Sequence, residues 1–393
     1  MDEAVPEGPG PDTSLTLELV DDIRRVPAAA WNALEGSGNP FLRHEFLATL
    51  EAYDAVGETV GWLPHHLVLR DHHGDIVAAA PAYLKTHSWG EFVFDFAWAD
   101  AYARHGLDYY PKLVVAVPWT PATGPRLLLS PGGDAGRLSR ALFDGAREWA
   151  GRSGVSSVHW LFLTAVEADR AEAAGYAHRL GCQFHWHNNG YGDFDDFLAA
   201  LTSKRRKNIR RERRLVADAG LRMRTVHGDE ADADLWRAMH RFYCNTFHER
   251  GNVPVLSEAC MAALGRSLGR RVVLFVAERN DRPIAAAMCL RDGETLYGRY
   301  WGCDEVVDAL HFETCYYQGI DYCIREGLRC FEPGAQGEHK VPRGFMPTLT
   351  HSVHHLHEPA FRRAVSEFLG RERPAVKAYA EELTLSGPYR QSD

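Results

Sequence analysis

The 393-residue sequence lacks long apolar segments and lacks an excess of positive charge. No apolar run approaches the roughly 18 residues that a membrane-spanning helix requires. The formal net charge is -9, with 44 Lys and Arg against 53 Asp and Glu. A general nucleic-acid-binding protein needs a basic surface, so this balance argues against one. We therefore expect no transmembrane segment and no DNA partner, and any basic site must be local.

The sequence also lacks a signal peptide and C-x-x-C motifs. Residues 1–14 are acidic and rich in Pro and Gly, without the basic and apolar regions of a signal peptide, and predict a disordered lead-in. Most of the eight cysteines lie within apolar segments, as buried free thiols do. These features predict a cytoplasmic protein with reduced thiols.

Several common catalytic motifs are missing as well. The sequence contains no H-E-x-x-H, G-x-S-x-G or G-x-x-x-x-G-K-[ST]. It therefore lacks the central residues of these metalloproteases, serine hydrolases and P-loop proteins. Cys182, His185 and His187 lie on one predicted strand, where the cysteine faces away from both histidines. We therefore predict no metal site.

The most distinctive stretch present is residues 331–345, F-E-P-G-A-Q-G-E-H-K-V-P-R-G-F. Acids, a histidine and two cations stand there between three glycines and two prolines. Glycine lets the backbone approach a ligand and proline fixes φ, so the stretch predicts a stiff, shaped loop. It follows an apolar run that predicts a buried strand, and functional groups commonly lie on loops beyond strand ends. The alternative is a polar surface loop without a function.

Two helical segments carry further candidate groups. Residues 193–216 predict one helix whose part 204–214 holds eight cations in eleven residues. Those cations are either a solvated face or a site for the phosphates of a nucleotide, a CoA or a tRNA end. Residues 310–326 predict a helix that begins near His311, which is either poised for acid-base chemistry or an ordinary helix-start histidine.

An internal repeat predicts the domain organisation. Val68 and Ile76 recur as Val276 and Ile284 at the same spacing, and each pair is followed by an aromatic segment, a helix, a glycine and a strand. The repeat therefore predicts two copies of one α/β unit. The first predicted domain is residues 15–190, and the second is residues 191–393, which include the 334–340 loop.

The motifs resemble those of a known family. K-R-R-K-N-I-R-R-E-R at 204–213, L-H-F-E-T-C-Y-Y-Q-G at 310–319, and G-A-Q-G-E-H-K at 334–340 with the following R-G-F are similar to the FemAB-like, GNAT-related predicted N-acyltransferases of the peptidoglycan biosynthesis/recognition type. The resemblance covers about residues 34–383. It implies an α/β fold of two tandem GNAT-like domains with mixed central sheets.

The resemblance also implies transfer of an acyl or aminoacyl group from an activated donor to an amine. The donor is acyl-CoA or aminoacyl-tRNA as a co-substrate, with no tightly bound cofactor. The acceptor is a small-molecule, lipid or peptidoglycan-precursor amine, and a tRNA acceptor end is a possible partner. The usual R/Q-x-x-G-x-G/A pyrophosphate loop of GNAT enzymes is absent from both halves, which argues against acetyl-CoA bound by the usual route. The sequence leaves the oligomeric state open.

Residue roles follow from this chemistry. The predicted catalytic residues are Glu338, His339, Tyr317, His311 and Glu313. The predicted substrate-binding residues are Lys340, Arg343, Gln336, Tyr300 and Trp301. The residues predicted to contact donor phosphates are Lys204, Arg205 and Asn208. Glu338 or His339 is the expected base, and Tyr317 or Tyr300 the expected proton donor to the leaving group.

Two alternatives compete with this hypothesis. The protein could instead recognise a cell-wall precursor or a peptide without catalysing a reaction. In a lipid-directed version of the enzyme, the acceptor is a long-chain amine of the sphingoid type.

Overall fold

The computed structural model describes residues 14–335 and 337–390. The lead-in 1–13 and Gln336 lie outside the described residues, so the disorder predicted for the lead-in and the role predicted for Gln336 stay predictions. The strands are β1 (Thr16–Val20), β2 (Trp62–Pro64), β3 (His66–Arg70), β4 (Ile76–Ala80), β5 (Ala82–Lys85), β6 (Lys112–Val115), β7 (Leu128–Leu129), β8 (Ser157–Leu163), β9 (Ala177–His187), β10 (Arg222–His227), β11 (Val272–Arg279), β12 (Arg282–Arg291), β13 (Thr295–Cys303), β14 (Cys330–Glu332) and β15 (Met346–Leu356).

The helices complete the α/β pattern. They are α1 (Ala28–Asn32), α2 (His44–Ala52), α3 (Phe96–Arg104), α4 (Ala135–Arg152), α5 (Ala165–Ala173), α6 (Phe194–Ala200), α7 (Ser203–Asp218), α8 (Ala233–Glu249), α9 (Glu258–Leu268), α10 (Leu310–Phe312), α11 (Gln318–Arg325) and α12 (Pro359–Leu385). A π-helical turn, Glu313–Tyr317, joins α10 directly to α11. Among the described residues, no helix is both long enough and apolar enough to span a membrane.

One sheet of eleven strands runs through both halves of the chain. Its order is β10-β11-β12-β13-β14-β9-β15-β8-β6-β5-β2, and a second sheet has the order β1-β3-β4-β7. The last strand, β15, pairs antiparallel with both β8 and β9 of the first half. In turn β9 pairs with β14 of the second half. The halves therefore exchange strands at the centre of the large sheet.

Apolar strands supply the core on which the site is built. Every residue of β8 is buried, as are the first seven of β11, which matches strands covered on both faces. The helix α8 packs on β12 and β13, and α12 packs on β9 and β15. Three consecutive strands of the second half, β11, β12 and β13, form an antiparallel meander.

The single helix predicted over residues 193–216 is wrong. Leu201 and Thr202 have extended backbone between α6 and α7. The Thr202 N–H donates to the carbonyl oxygen of Pro388 at 2.9 Å, and the Arg390 N–H donates to that of Ala200 at 3.0 Å. Because these bonds come from the distant C-terminal segment, the local helical pattern gives way to tertiary pairing.

Two further helices differ from what their local sequence predicts. Residues 165–180 predict one helix, but α5 ends at Ala173, since Gly175 has φ +89° and β9 then begins at Ala177 to pair with β15. Pro374 does not divide the C-terminal helix, which is continuous over Pro359–Leu385. Proline costs one helical hydrogen bond, but buried Leu369 before it and Ala380 after it anchor the helix on both sides.

Candidate active site

The loop after β14 is shaped by glycines with left-handed backbone. Gly334, Gly337 and Gly344 have φ of +104°, +114° and +100°. A β-carbon on Gly337 would lie 2.2 Å from the ring of His339, so that ring needs a glycine beside it. The chain then makes a 3-10 turn, Glu338–Arg343, before β15 begins. These glycines set the shape of the loop, and the close approach is to its own histidine, whereas the predicted stiffness stays a prediction.

His339 lies at the exposed side of this loop against aromatic side chains. Its Nε2 is 2.9 Å from the hydroxyl oxygen of Tyr316, and its ring neighbours that of Phe312. Partial burial, followed by the charges of Lys340 and Arg343, lowers the pKa of His339 below its ordinary 6.5. The imidazole is therefore mainly neutral at neutral pH and is able to accept a proton.

Lys340 is a buried cation without a carboxylate partner among the described residues. Its side chain is buried, and its Nζ donates to the carbonyl oxygen of Gly334 at 2.6 Å. Burial lowers the pKa of Lys340 to about 8. An ammonium group has three donors, so Nζ keeps hydrogen-bonding capacity for an anionic group or a developing negative charge.

Arg343 is held by an acid on α7 that the sequence analysis did not single out. Its Nη2 donates to Oε1 of Glu212 at 2.8 Å and its Nε to the Tyr317 hydroxyl at 3.1 Å. The guanidinium also lies 3.4 Å from the centre of the Phe312 ring. Tyr317 is fully buried and donates to Glu212, and burial together with this bond raises the pKa of Tyr317. Arg343 and Tyr317 are thus fixed by one carboxylate.

His311 of α10 contacts Trp301 of β13 and Tyr316 of the π-helical turn, and Tyr316 in turn contacts His339 of the loop. The His311 ring meets those of Trp301 and Tyr316 edge-on, with both pairs of centroids 5.4 Å apart. Burial, followed by the charge of His339, lowers the pKa of His311 to about 4, so it is neutral at neutral pH. Single π turns inside helices are frequent at functional sites.

Glu313 and Glu338 are already engaged in contacts. Glu313 is buried and accepts from Arg213 of α7 at 3.2 Å and from Gln318 at 2.7 Å. Glu338 is exposed at the end of the loop and accepts from the Tyr379 hydroxyl of α12 at 2.6 Å. Glu338 therefore lies at the rim of the loop, whereas Glu313 serves the packing of α7.

Tyr300 does not join the loop residues. It neighbours Trp301 in β13, and successive side chains of a strand point to opposite faces of the sheet. Its ring packs on Tyr243, with centroids 5.0 Å apart, and lines a small cavity with Trp119 and Phe41. Because side chains alternate along a strand, the sequence alone indicates that Tyr300 and Trp301 face opposite sides of the sheet.

The predicted phosphate-binding residues lie at the start of α7. Lys204 is exposed, and Arg205 and Asn208 are partly exposed. No ion pair or hydrogen bond of their side chains occurs within residues 14–335 and 337–390. The same helix packs against the π-helical turn and the 3-10 turn of the loop. Its free cations and the loop therefore lie on adjoining elements.

The sequence comparison identifies the family. The FemAB-like family, described as peptidoglycan biosynthesis/recognition, matches residues 22–391. The chain belongs to the FemAB-like family. This match confirms the resemblance carried by the 204–213, 310–319 and 334–340 motifs. A search of curated proteins gives no significant match.

Solved structures share the fold of this FemAB-like chain at low sequence identity. FemX has a TM-score of 0.50 and 10% identity, covering 82% of this chain and 93% of its own. The C-terminal domain of a putative lysylphosphatidylglycerol synthetase from Agrobacterium fabrum has a TM-score of 0.52 and 8% identity, covering 89% of this chain and 96% of its own. A tandem GNAT protein from the clavulanic acid biosynthesis pathway has a TM-score of 0.46 and 13% identity, covering 88% of this chain and 99% of its own. The predicted fold class, tandem GNAT-like α/β domains with mixed central sheets, is confirmed.

Two acids of the FemAB-like chain were underrated by the sequence analysis. Glu212 is the one acid within the basic run 204–214. A single acid among eight cations could have been recognised in the sequence as the partner of a buried cation. Glu332 precedes the loop, and burial raises its pKa to about 8. Its surroundings come from β9 and a distant loop, which no local pattern of the sequence reveals.

Proposed function

We propose that this FemAB-like protein is an N-acyltransferase that moves an acyl or aminoacyl group from acyl-CoA or aminoacyl-tRNA to an amine. Family membership supports the reaction class. The observation that carries the proposal is the pair His339 and Lys340, a neutral base followed by a buried cation without a carboxylate partner among the described residues. Amide formation needs both kinds of group at one carbonyl.

The reaction proceeds by direct attack of the amine on the donor. The amine nitrogen forms a bond to the carbonyl carbon, and the C–S or C–O bond to the leaving group breaks. His339 accepts the proton that the attacking nitrogen loses and returns it to the departing thiolate or alkoxide. The Nζ of Lys340 stabilises the negative charge that develops on the carbonyl oxygen.

Arg343 and Tyr317 take positioning roles in this proposal. From the sequence, Arg343 was predicted to bind substrate and Tyr317 to protonate the leaving group. Glu212 holds both side chains, and its carboxylate neutralises much of the guanidinium charge. Arg343 also donates from Nη1 to the carbonyl oxygen of His339 at 2.7 Å. The pair therefore fixes the backbone that presents His339.

The donor is bound by the exposed start of α7. Lys204, Arg205 and Asn208 supply two cations and an amide without partners in the described part of the chain. Lysine and arginine bind phosphate well, and both proposed donors carry phosphates. The helix α7 packs against the loop that carries His339, so a donor whose phosphates bind at the start of α7 would lie on an element next to the proposed base.

A donor and acceptor panel tests the reaction class. Purified protein is incubated with acyl-CoAs or aminoacyl-tRNAs and with amine acceptors, including a peptidoglycan precursor and a long-chain amine, and amide products are measured by mass spectrometry. Turnover with any pair supports the proposal, and the productive acceptor separates the wall-directed from the lipid-directed version. Tight binding of a precursor without turnover by any donor indicates the recognition protein instead.

Two variants then identify the base. His339→Gln is expected to lower kcat by about 100-fold or more, the usual contribution of a general base. Glu338→Gln keeps an acceptor for Tyr379 and is expected to change kcat less, with Tyr379→Phe as its matched control. A large loss in Glu338→Gln with normal activity in His339→Gln would transfer the role to the glutamate.

A further inference from the structure

Three potential metal ligands meet where the two halves of the chain exchange strands. In the antiparallel pair of β9 and β14, Cys330 lies opposite His187 and Phe331 opposite Trp186. Cys330 and Glu332 are two residues apart and point to one face of β14, as His185 and His187 do on β9. One sheet face thus presents a thiol, a carboxyl group and two imidazoles.

The distances among three of these side chains suit one ion. A ring nitrogen of His185, Sγ of Cys330 and a carboxylate oxygen of Glu332 all lie within 4.8 Å of one another. His185 Nε2 is 3.9 Å from Glu332 Oε2. Zinc binds sulfur at about 2.3 Å and nitrogen or oxygen at about 2.0–2.2 Å. A small inward movement of the three atoms would bring each of them to bonding distance from one ion.

The site is built into the core rather than scattered on the surface. His185 and Glu332 are buried, and Cys330 is partly buried. Oε1 of Gln183 also lies 3.1 Å from His185 Nε2, the ring nitrogen that faces Glu332, so an ion bound through Nε2 would replace this hydrogen bond. The Thr123 N–H donates to Oε2 of Glu332 at 3.0 Å and fixes the carboxyl group.

We propose that His185, Cys330 and Glu332 bind a divalent transition-metal ion of the zinc class. One thiolate, one imidazole and one carboxylate form a mixed donor set that suits Zn²⁺ or Co²⁺ and does not suit Mg²⁺ or Ca²⁺. The sequence analysis tested His185 against Cys182, which faces away, whereas the matching cysteine comes from β14. This inference does not depend on the proposed transfer reaction.

An open cavity borders the cluster at Cys330. Cys330 and His187 line this cavity of about 390 Å³ together with Asn188, Glu294, Thr295 and Arg329. In the proposed site it would be the entry path for the ion, and a water or His187 would complete the coordination.

The ion would tie β9 of the first half to β14 of the second. Glu332 is followed directly by Pro333 and Gly334, where the candidate active-site loop begins. Metal binding therefore fixes the base of the loop without entering the reaction.

Titration of the chelator-treated full-length protein with Co²⁺ tests the site. We expect one Co²⁺ per chain, with thiolate-to-cobalt charge-transfer absorption and release of the proton of the Cys330 thiol. Zinc added afterwards should displace cobalt and raise the unfolding temperature. Absence of stoichiometric binding of either metal overturns the proposal.

Variants locate the ligands. Cys330→Ser should abolish the charge-transfer band, and Glu332→Gln, which preserves shape, should weaken Co²⁺ binding by more than the roughly 10- to 100-fold typical of an outer-shell partner. Cys182→Ser is the matched control, because Cys182 lies on β9 with His185 but faces away from it, and this variant should leave the band and the affinity unchanged. A band that survives in Cys330→Ser but disappears in Cys182→Ser contradicts the assignment. Circular dichroism shows whether each variant is folded. If Cys330→Ser is unfolded, the Co²⁺ affinity of Glu332→Gln decides whether the assignment is right.

Discussion

Lys340 shows how one residue links stability to chemistry. Its ammonium group is buried with one backbone acceptor, Gly334, and burial lowers its pKa to about 8. A buried cation without a counter-ion costs folding energy that a hydrocarbon side chain would not. The same lack of a partner among the described residues leaves Nζ available to a developing oxyanion.

Replacement of Lys340 by Met should therefore stabilise the fold while it reduces activity. The folded pKa of about 8 lies below the ordinary 10.5, so the penalty is fully present below pH 8 and disappears as the pH rises toward 10.5. At pH 7 the shift corresponds to at most about 3 kcal/mol of unfolding free energy. Denaturant unfolding at pH 7 and pH 10.5 measures the difference. Exposed Lys377→Met is the control, and destabilisation at pH 7 that persists at pH 10.5 would contradict this reading.

The pH dependence of kcat should have two limbs set by neighbouring residues. Activity should fall as the pH drops through the lowered pKa of His339, below 6.5, because the imidazolium is no longer a base. It should also fall above about pH 8 as Lys340 loses its proton. Lys340→Arg should move the alkaline limb upward, since arginine keeps its charge. An alkaline limb unchanged in that variant would assign it to another group.

Elements were predictable where local pattern and tertiary packing agree. The strands β11 to β13 and the helices α4, α8 and α9 follow their hydrophobic patterns closely. The break between α6 and α7 was not predictable, because Thr202 pairs with Pro388 from the far end of the chain. The loop 331–345 identified the candidate site, whereas Glu212 required knowledge of how α7 packs.

Two glycines of the loop form a natural pair for testing its geometry. Both have positive φ, so Ala at either position costs backbone strain of about 1–2 kcal/mol. A β-carbon at Gly334 has its nearest neighbour at 3.9 Å, whereas one at Gly337 meets the His339 ring. Gly337→Ala should therefore lower kcat well beyond Gly334→Ala at similar stability, as steady-state kinetics and thermal melts would show. Equal kcat losses would mean that the position of His339 is unimportant.

The contact between α7 and the loop depends on Glu212. Glu212→Gln removes the carboxylate that Arg343 and Tyr317 share. The pair is largely buried, since the Arg343 side chain is 11% exposed and that of Glu212 is 14% exposed. The expected destabilisation is about 3 kcal/mol, as for a broken buried pair. Asp195→Asn removes the exposed pair with Arg210 of the same helix and should cost less than about 1 kcal/mol. Similar losses in chemical denaturation would show that burial does not decide the outcome.

At the scale of the whole molecule, the repeat in the sequence predicts two similar units but not their exchange of strands. Each unit runs through the same order of elements, and a linear pattern gives no information on where the last strand inserts. In the structure β15 fills the gap between β8 and β9, and β9 reaches β14. The predicted domain boundary at residue 190 stays a prediction. The large sheet contains strands from both sides of that boundary.

This exchange predicts how the halves behave when separated. A fragment of residues 15–190 lacks β15, so it exposes the hydrogen-bonding edges of β8 and β9, and buried Val353 no longer covers its neighbours. We expect the fragment alone to aggregate or lack a cooperative melt, and co-expression with residues 191–393 to recover a folded complex. Size-exclusion chromatography and circular dichroism measure both outcomes. A fragment 15–190 that melts cooperatively by itself would show that the first half completes its sheet without β15, because only pairing within that half could satisfy those two edges.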